Sequence, residues 1–196
     1  MNQVWLARHG ETAWSRTGRH TGRTDVPLEP EGEQQARLLG ARLGGHAFAQ
    51  VWSSPRARAL RTAEIAGFTP SVVDDLAEWD YGEFEGLRRP EIQAFEANWD
   101  VFAQGAPAGE SVEAVAARAD RVIARLRAVD VSGDVLVFGH GHFLRALGAR
   151  WIDLPVAAAS RLLLSTASVS VLGYEHGPHD PAILLWNDTH HLAEGA

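Results

Sequence analysis

The tetrapeptide Arg8-His9-Gly10-Glu11 follows the apolar run Val4-Trp5-Leu6-Ala7, so an arginine and a histidine stand where a buried strand ends and a turn begins. In open α/β sheets, ligands bind at that end of the strands. An imidazole beside a guanidinium suits chemistry on a phosphate, the first as nucleophile and the second as anion clamp. A second pair, His140-Gly141-His142, follows another apolar run, Val135-Leu136-Val137-Phe138. Two strands ending in His-Gly make a rarer pattern than one.

Between them, Ser54-Pro55 precedes Arg56, Arg58 and Arg61 at the start of an expected helix. A helix N-terminus with free N–H groups favours anions. The plainer reading of the three arginines is a solvated basic face paired to acidic neighbours. The stretch Leu76 to Gly86 sets several carboxylates among aromatics, where apolar walls would favour a protonated general acid. Spacing does not choose among Glu78, Glu83 and Glu85. His140 and His142 lack the spaced acidic or histidine cluster that a metal site needs, and no metal or cofactor is expected. His46, His176, His179, His190 and His191 read as surface or loop residues.

These residues need a sheet to position them, and the pattern supplies one. An apolar run at 3–8 is followed by a helix from about Pro30, with Ala36, Leu39 and Leu43 on one face. A short strand, 50–53, meets Ser54-Pro55, which reads as an N-cap followed by proline at the first helical position. That helix runs from 56 to about 66, with a short strand near 71–73. The clearest helix begins at Ser111, its stripe traced by Val112, Val115, Ala116, Ala119, Val122, Ile123 and Leu126. Gly133-Asp134 leads into the strand at 135–138, and a helix starts after Gly141. Segments 167–174 and 182–186 flank a Gly/Pro/Asp turn and read as an antiparallel pair. Alternation of this kind predicts an α/β sandwich with a mostly parallel sheet. The irregular segment 74–110 is expected to cap the sheet edge.

Composition narrows the chemistry further. At 196 residues and 45% hydrophobic content the chain fits one domain, 1–196, with one sizeable core. A net charge of -7 argues against nucleic acid or an anionic membrane surface as partner. With no long apolar span or leader, a cytoplasmic protein is expected. The chain has no cysteine, and all 18 of its basic Lys/Arg positions are arginine. Thiol nucleophiles, Schiff bases and a Walker-type lysine are therefore excluded. An edge strand near the C-terminus offers a homodimer contact.

Taken together, Arg8-His9-Gly10-Glu11-Thr12, Ser53-Ser54-Pro55-Arg56-Ala57-Arg58-Ala59, Glu78 with Tyr81-Gly82, Gly109-Glu110-Ser111 and His140-Gly141 resemble the motifs of the histidine phosphatase superfamily, the phosphoglycerate mutase-like proteins, in family order. The resemblance implies a three-layer α/β sandwich around a mostly parallel sheet. It makes His9 the phosphoryl-accepting nucleophile and Glu78 the proton donor, with Arg8, Arg58 and a charged His140 lining the phosphate pocket beside helix N-terminal amides. Ser15, Thr21, Gly22, Tyr81, Gly141 and His142 match substrate-pocket positions. Ser15 and His142 depart from the asparagines common in mutases, and Arg89 falls where mutases carry lysine.

The strings 11–15, 21–25, 78–82 and 139–142 look like the sedoheptulose-bisphosphatase branch and related bacterial acid phosphatases. The long insertion that mutases place after the glutamate segment is lacking. The resemblance thus implies a metal-independent phosphatase of small phosphorylated metabolites, either sugar phosphates or a broad acid-phosphatase range, with an optimum below neutral pH. The alternatives are a phosphoglycerate mutase and a non-catalytic scaffold of the same fold.

Overall fold

The run Val135-Leu136-Val137-Phe138 lacks polar alternation because both faces of its strand are covered. Val135 and Val137 join one core with Val4 and Leu6, while Leu136 and Phe138 join a second with Ala7, Leu39, Leu43 and Ala63. A helical layer closes each core, so the expected three-layer α/β sandwich is what the computed structural model shows. It describes residues 2–129 and 132–193; the rest of the expected 1–196 domain lies outside the described residues.

In chain order the described elements are β1 (Val4–Arg8), α1 (Ala13–Thr17), α2 (Pro30–Leu43), β2 (Phe48–Ser53), α3 (Ala57–Ile65), β3 (Ser71–Val72), α4 (Arg89–Gln93), α5 (Val101–Gln104), α6 (Val112–Arg127), β4 (Asp134–Gly139), α7 (Gly141–Trp151), β5 (Val169–Tyr174), β6 (Pro181–Asp188) and α8 (His190–Ala193). The sheet order is β3-β2-β4-β1-β5-β6. β1 to β4 run parallel, whereas β5 and β6 are antiparallel additions at one side. Helices α6 and α7 cover one face, and α2 and α3 the other. Among the described residues, no helix is long and apolar enough to cross a membrane.

The segment expected as a cap, 74–110, is more deeply built in than that. Leu76, Trp79, Tyr81, Phe84, Ile92, Trp99, Val101 and Phe102 are buried in the larger core. It carries two short 3-10 turns, Asp74–Leu76 and Gly82–Phe84, besides α4 and α5. Its aromatic content is thus hydrophobic anchorage, which fixes the backbone on either side of Glu78.

One boundary differs from expectation. α3 begins at Ala57 with Arg56 as N-cap residue, not at Ser54-Pro55. The Ser54 hydroxyl accepts from the Arg56 N–H at 3.2 Å, but its other partner is His140, 2.7 Å away. A long-range partner has taken the group that a local cap would have used.

Candidate active site

Parallel pairing brings the two His-Gly turns side by side. Arg8 at the end of β1 is in register with Gly139 at the end of β4, and the His9 N–H donates to the Gly139 carbonyl at 3.0 Å. Ser54, just past β2, donates its N–H to the Phe138 carbonyl. Three adjacent strand ends therefore deliver His9, His140 and Ser54 to one edge, with the His9 and His140 ring centroids 5.2 Å apart. The Gly10 turn is packed so closely on α2 that a Cβ there would lie 2.3 Å from the Gly32 carbonyl oxygen. Only glycine fits.

His9 is 5% exposed, and its Nδ1 lies 2.7 Å from the Gly10 carbonyl oxygen. A carbonyl can only accept, so Nδ1 carries the proton and Nε2 keeps its lone pair. Burial first, then the Arg58 and Arg8 cations, hold the His9 pKa well below the ordinary 6.5. The ring is a neutral base with its free nitrogen available.

Arg8 is buried beside it, with one guanidinium nitrogen on the Leu164 carbonyl. Its Nε is buried and has no hydrogen-bond partner among the described residues. Gly141 lets the first turn of α7 lie against this guanidinium; a Cβ there would sit 3.2 Å from Arg8 Cζ. Arg58, 1% exposed, donates from Nε to His140 Nδ1 and from its terminal nitrogens to the carbonyls of Thr24, Thr21 and Gly22. These bonds use four of the five N–H groups of the guanidinium.

This geometry corrects the expectation of a charged His140. Its Nδ1 accepts from Arg58 and its Nε2 donates to Ser54, so the ring is the neutral tautomer. Burial, followed by Arg58, His9 and Arg8, keeps its pKa well below 6.5. The expected helix amides also have other partners. The Ala57 N–H at the start of α3 donates to Asp25, and the His142 and Phe143 N–H groups of α7 donate to Glu78.

Glu78 accepts at both oxygens. Oε1 takes the N–H groups of Trp79 (2.9 Å) and Phe143 (2.8 Å), and Oε2 takes that of His142 (3.0 Å). Its surroundings are thus N–H donors rather than the apolar walls expected. Of its rivals, Glu83 is exposed, and Glu85 receives the N–H groups of Gly22 and Thr24.

A cleft of about 280 Å³ opens here. It is lined by Arg8, His9, Glu78 and Gly141, together with Ser15, Thr21, Tyr81, Arg89 and His142. Arg58, His140 and Gly22 stand behind this lining rather than in it. The Ser15 hydroxyl is tied into its own helix cap with Thr12. Tyr81 and His142 are joined, hydroxyl to Nδ1, at 2.6 Å. Arg56 and Arg61 stay outside the cleft, and exposed Arg61 faces Glu33 and Glu64, as a solvated basic face would.

Sequence reasoning missed several lining groups: Arg19, His20, Trp99, Phe102 and Arg145. His20 donates from Nδ1 to the Leu87 carbonyl, leaving Nε2 as an acceptor. Arg145 lies over the Phe102 ring at 4.4 Å and donates to the carbonyls of Ala159 and Ser160. Position between the strings 11–15 and 21–25 is the one available signal for Arg19 and His20. None marked Arg145, one of several arginines spaced along helices.

Four imidazoles here have lowered pKa values: His9, His20, His140 and His142, burial being the first cause in each. In the unfolded chain each returns toward 6.5 and takes up a proton more readily. Their contribution to stability is therefore fully present above pH 6.5 and is lost as pH falls below it. Each adds a slope of up to about 1.4 kcal/mol per pH unit. Thermal melts should show a steady midpoint above pH 7 and a progressive fall from pH 6.5 to 5. A flat midpoint over that range would show that these rings protonate in the folded protein.

The chain matches the family model of the histidine phosphatase superfamily (branch 1) over residues 4–189. It is 48% identical over 186 residues to an acid phosphatase of Mycobacterium tuberculosis, covering 93% of this chain and 92% of that one. It is 33% identical over 183 residues to the sedoheptulose 1,7-bisphosphatase of Saccharomyces cerevisiae, covering 77% and 68%. The solved structure of a Mycobacterium tuberculosis open reading frame product superposes with a TM-score of 0.91 at 46% identity, covering 95% of this chain and 97% of the other.

Proposed function

Because this chain belongs to the histidine phosphatase superfamily, branch 1, we infer that it is a metal-independent phosphomonoesterase working through a phosphohistidine on His9. One observation carries the reading. A neutral imidazole with a free Nε2 shares a cleft with a buried arginine whose Nε–H lacks a partner among the described residues and with a carboxyl group anchored on a helix start.

His9 Nε2 attacks phosphorus in line, the ester P–O bond breaks, and Glu78 delivers a proton to the departing alkoxide. Arg8 meets the charge on the equatorial oxygens, and the Arg58 cation reinforces it from behind the lining. Water then attacks the phosphohistidine, Glu78 takes its proton, and inorganic phosphate leaves with His9 restored. The depressed His9 pKa keeps the nucleophile unprotonated below neutrality, in keeping with an acidic optimum. Neutral His140 acts by orienting Arg58.

The cleft, about 280 Å³, suits small phosphorylated metabolites, with sugar phosphates foremost. Ser15, Thr21, Tyr81, Arg89, Gly141 and His142 line the path of the organic portion, and Gly22 supports it from behind. A net charge of -7 fits a cytoplasmic enzyme with neither nucleic acid nor membrane as partner, and the β6 edge is available to a homodimer.

The test is p-nitrophenyl phosphate turnover with excess chelator, followed by a rapid alkaline quench and peptide mass spectrometry. Chelator-resistant release with a phosphoryl group on the His9 peptide is expected. Turnover abolished by chelator, or a phosphoryl group elsewhere, would overturn the reading. Isomerisation of 3-phosphoglycerate in place of phosphate release would return the chain to the mutases.

A further inference from the structure

The motif Gly109-Glu110-Ser111 has no place in the cleft, and neither does Arg118, although Arg118 is a charged side chain only 8% exposed. The geometry points to Glu110 and Arg118 as positioning residues for Glu78. Arg118, one turn and more into α6, forms a bidentate pair with Glu110: Nε to Oε1 at 2.9 Å and NH2 to Oε2 at 2.7 Å. Its NH1 donates to the carbonyls of Asp75 and Ala77, immediately before Glu78. Glu110 holds the other side. Its Oε2 accepts the Asp80 N–H at 3.0 Å, its carbonyl accepts the Trp79 indole N–H at 3.0 Å, and its N–H donates to the Asp80 carbonyl at 2.9 Å.

The ion pair thus fastens residues 75, 77 and 80, the Glu110 main chain adds Trp79, and Glu78 projects between them. The same guanidinium lies 4.2 Å from the centre of the Phe143 ring, and the Phe143 N–H is one of those received by Glu78. The clamp touches both the segment that carries the carboxyl group and the helix start that receives it. Gly109 makes this approach feasible, since a Cβ there would lie 2.2 Å from the Asp80 carbonyl oxygen. Ser111 caps α6, the helix that carries Arg118.

A buried ion pair is weak evidence for stability, because an apolar pair of similar volume often serves as well. Fixed geometry is what this pair adds: a planar fork holding two directions at once, which a lysine cannot reproduce. A proton donor displaced by an ångström loses much of its effect, and loses it only where the leaving group needs a proton.

This proposal rests on Glu78 as proton donor in the reading above, and its test separates the two. kcat/KM, which reports steps through leaving-group departure, is compared for p-nitrophenyl phosphate and β-glycerophosphate in wild type, Arg118→Lys and Glu110→Gln. The alkyl ester should lose about 10- to 100-fold and the nitrophenyl ester less than about threefold. In a Glu78→Gln background, Arg118→Lys should add no further selective loss. Circular dichroism checks folding; if Arg118→Lys fails it, the isosteric Glu110→Gln decides by the same criterion. Equal losses on both esters, or none, overturn the positioning role while leaving the phosphatase reading intact. Wild type releasing phosphate from neither ester overturns both.

Discussion

His9→Ala is expected to lower phosphate release from p-nitrophenyl phosphate by at least about 10⁴-fold, the scale seen when a covalent nucleophile is deleted. The residue has no understudy. His140 is the nearest ring, but both its nitrogens are engaged, one by Arg58 and one by Ser54. His20 has a free Nε2 and lines the same cleft, yet it comes from the loop after α1 rather than from a strand end, its ring edge-to-face with Tyr81 and Trp99. Water could replace the imidazole only as a poorly oriented nucleophile. The fold should survive, because the Gly10 turn is held independently by the Thr62 hydroxyl and by close packing on Gly32. Near-wild-type turnover in a folded His9→Ala protein would falsify the phosphohistidine route.

Glu78→Gln carries the second-largest effect and has a signature of its own. Loss of proton delivery should cost about 10²- to 10⁴-fold in kcat/KM on an alkyl phosphate. p-Nitrophenyl phosphate, whose leaving group departs as a stable anion, should change little. The variant is not silent structurally. All three neighbours of the carboxyl group are N–H donors, so a glutamine must turn its own NH₂ toward one of them. That mismatch should lower stability by about 1–3 kcal/mol, read by thermal or urea denaturation. A comparable loss on both esters would remove Glu78 from the proton-donor role.

Much of the frame behind these effects is legible in the amino-acid order. β1 and β4 announce themselves as unbroken apolar runs because the sandwich buries both their faces. The α6 stripe and its Ser111 cap are local signals, and the structure keeps both. What local order could not reveal is the choice of partner across the chain. Ser54 resembles a helix cap until His140, 86 positions away, claims its hydroxyl. His140 resembles a cation until Arg58, 82 positions away, donates to it. Glu78 sits among aromatics in sequence, but 65 positions on, the Phe143 N–H is what it meets. Patterning decides which elements form, while these pairings are settled only when the elements meet.

Arg58 grips the loop around Thr21, Gly22 and Thr24 through main-chain oxygens alone. Every amino acid supplies the same oxygen, so the side chains at 21 and 24 are free to diversify without loosening the arginine beneath, whereas Gly22 is fixed, because a Cβ there would lie 2.5 Å from the Trp79 carbonyl oxygen. Its length is not free, since one inserted or deleted residue would shift all three oxygens at once. A library built on this scaffold to accept new esters should therefore vary the residues around Gly22 and hold that glycine and the loop's count fixed.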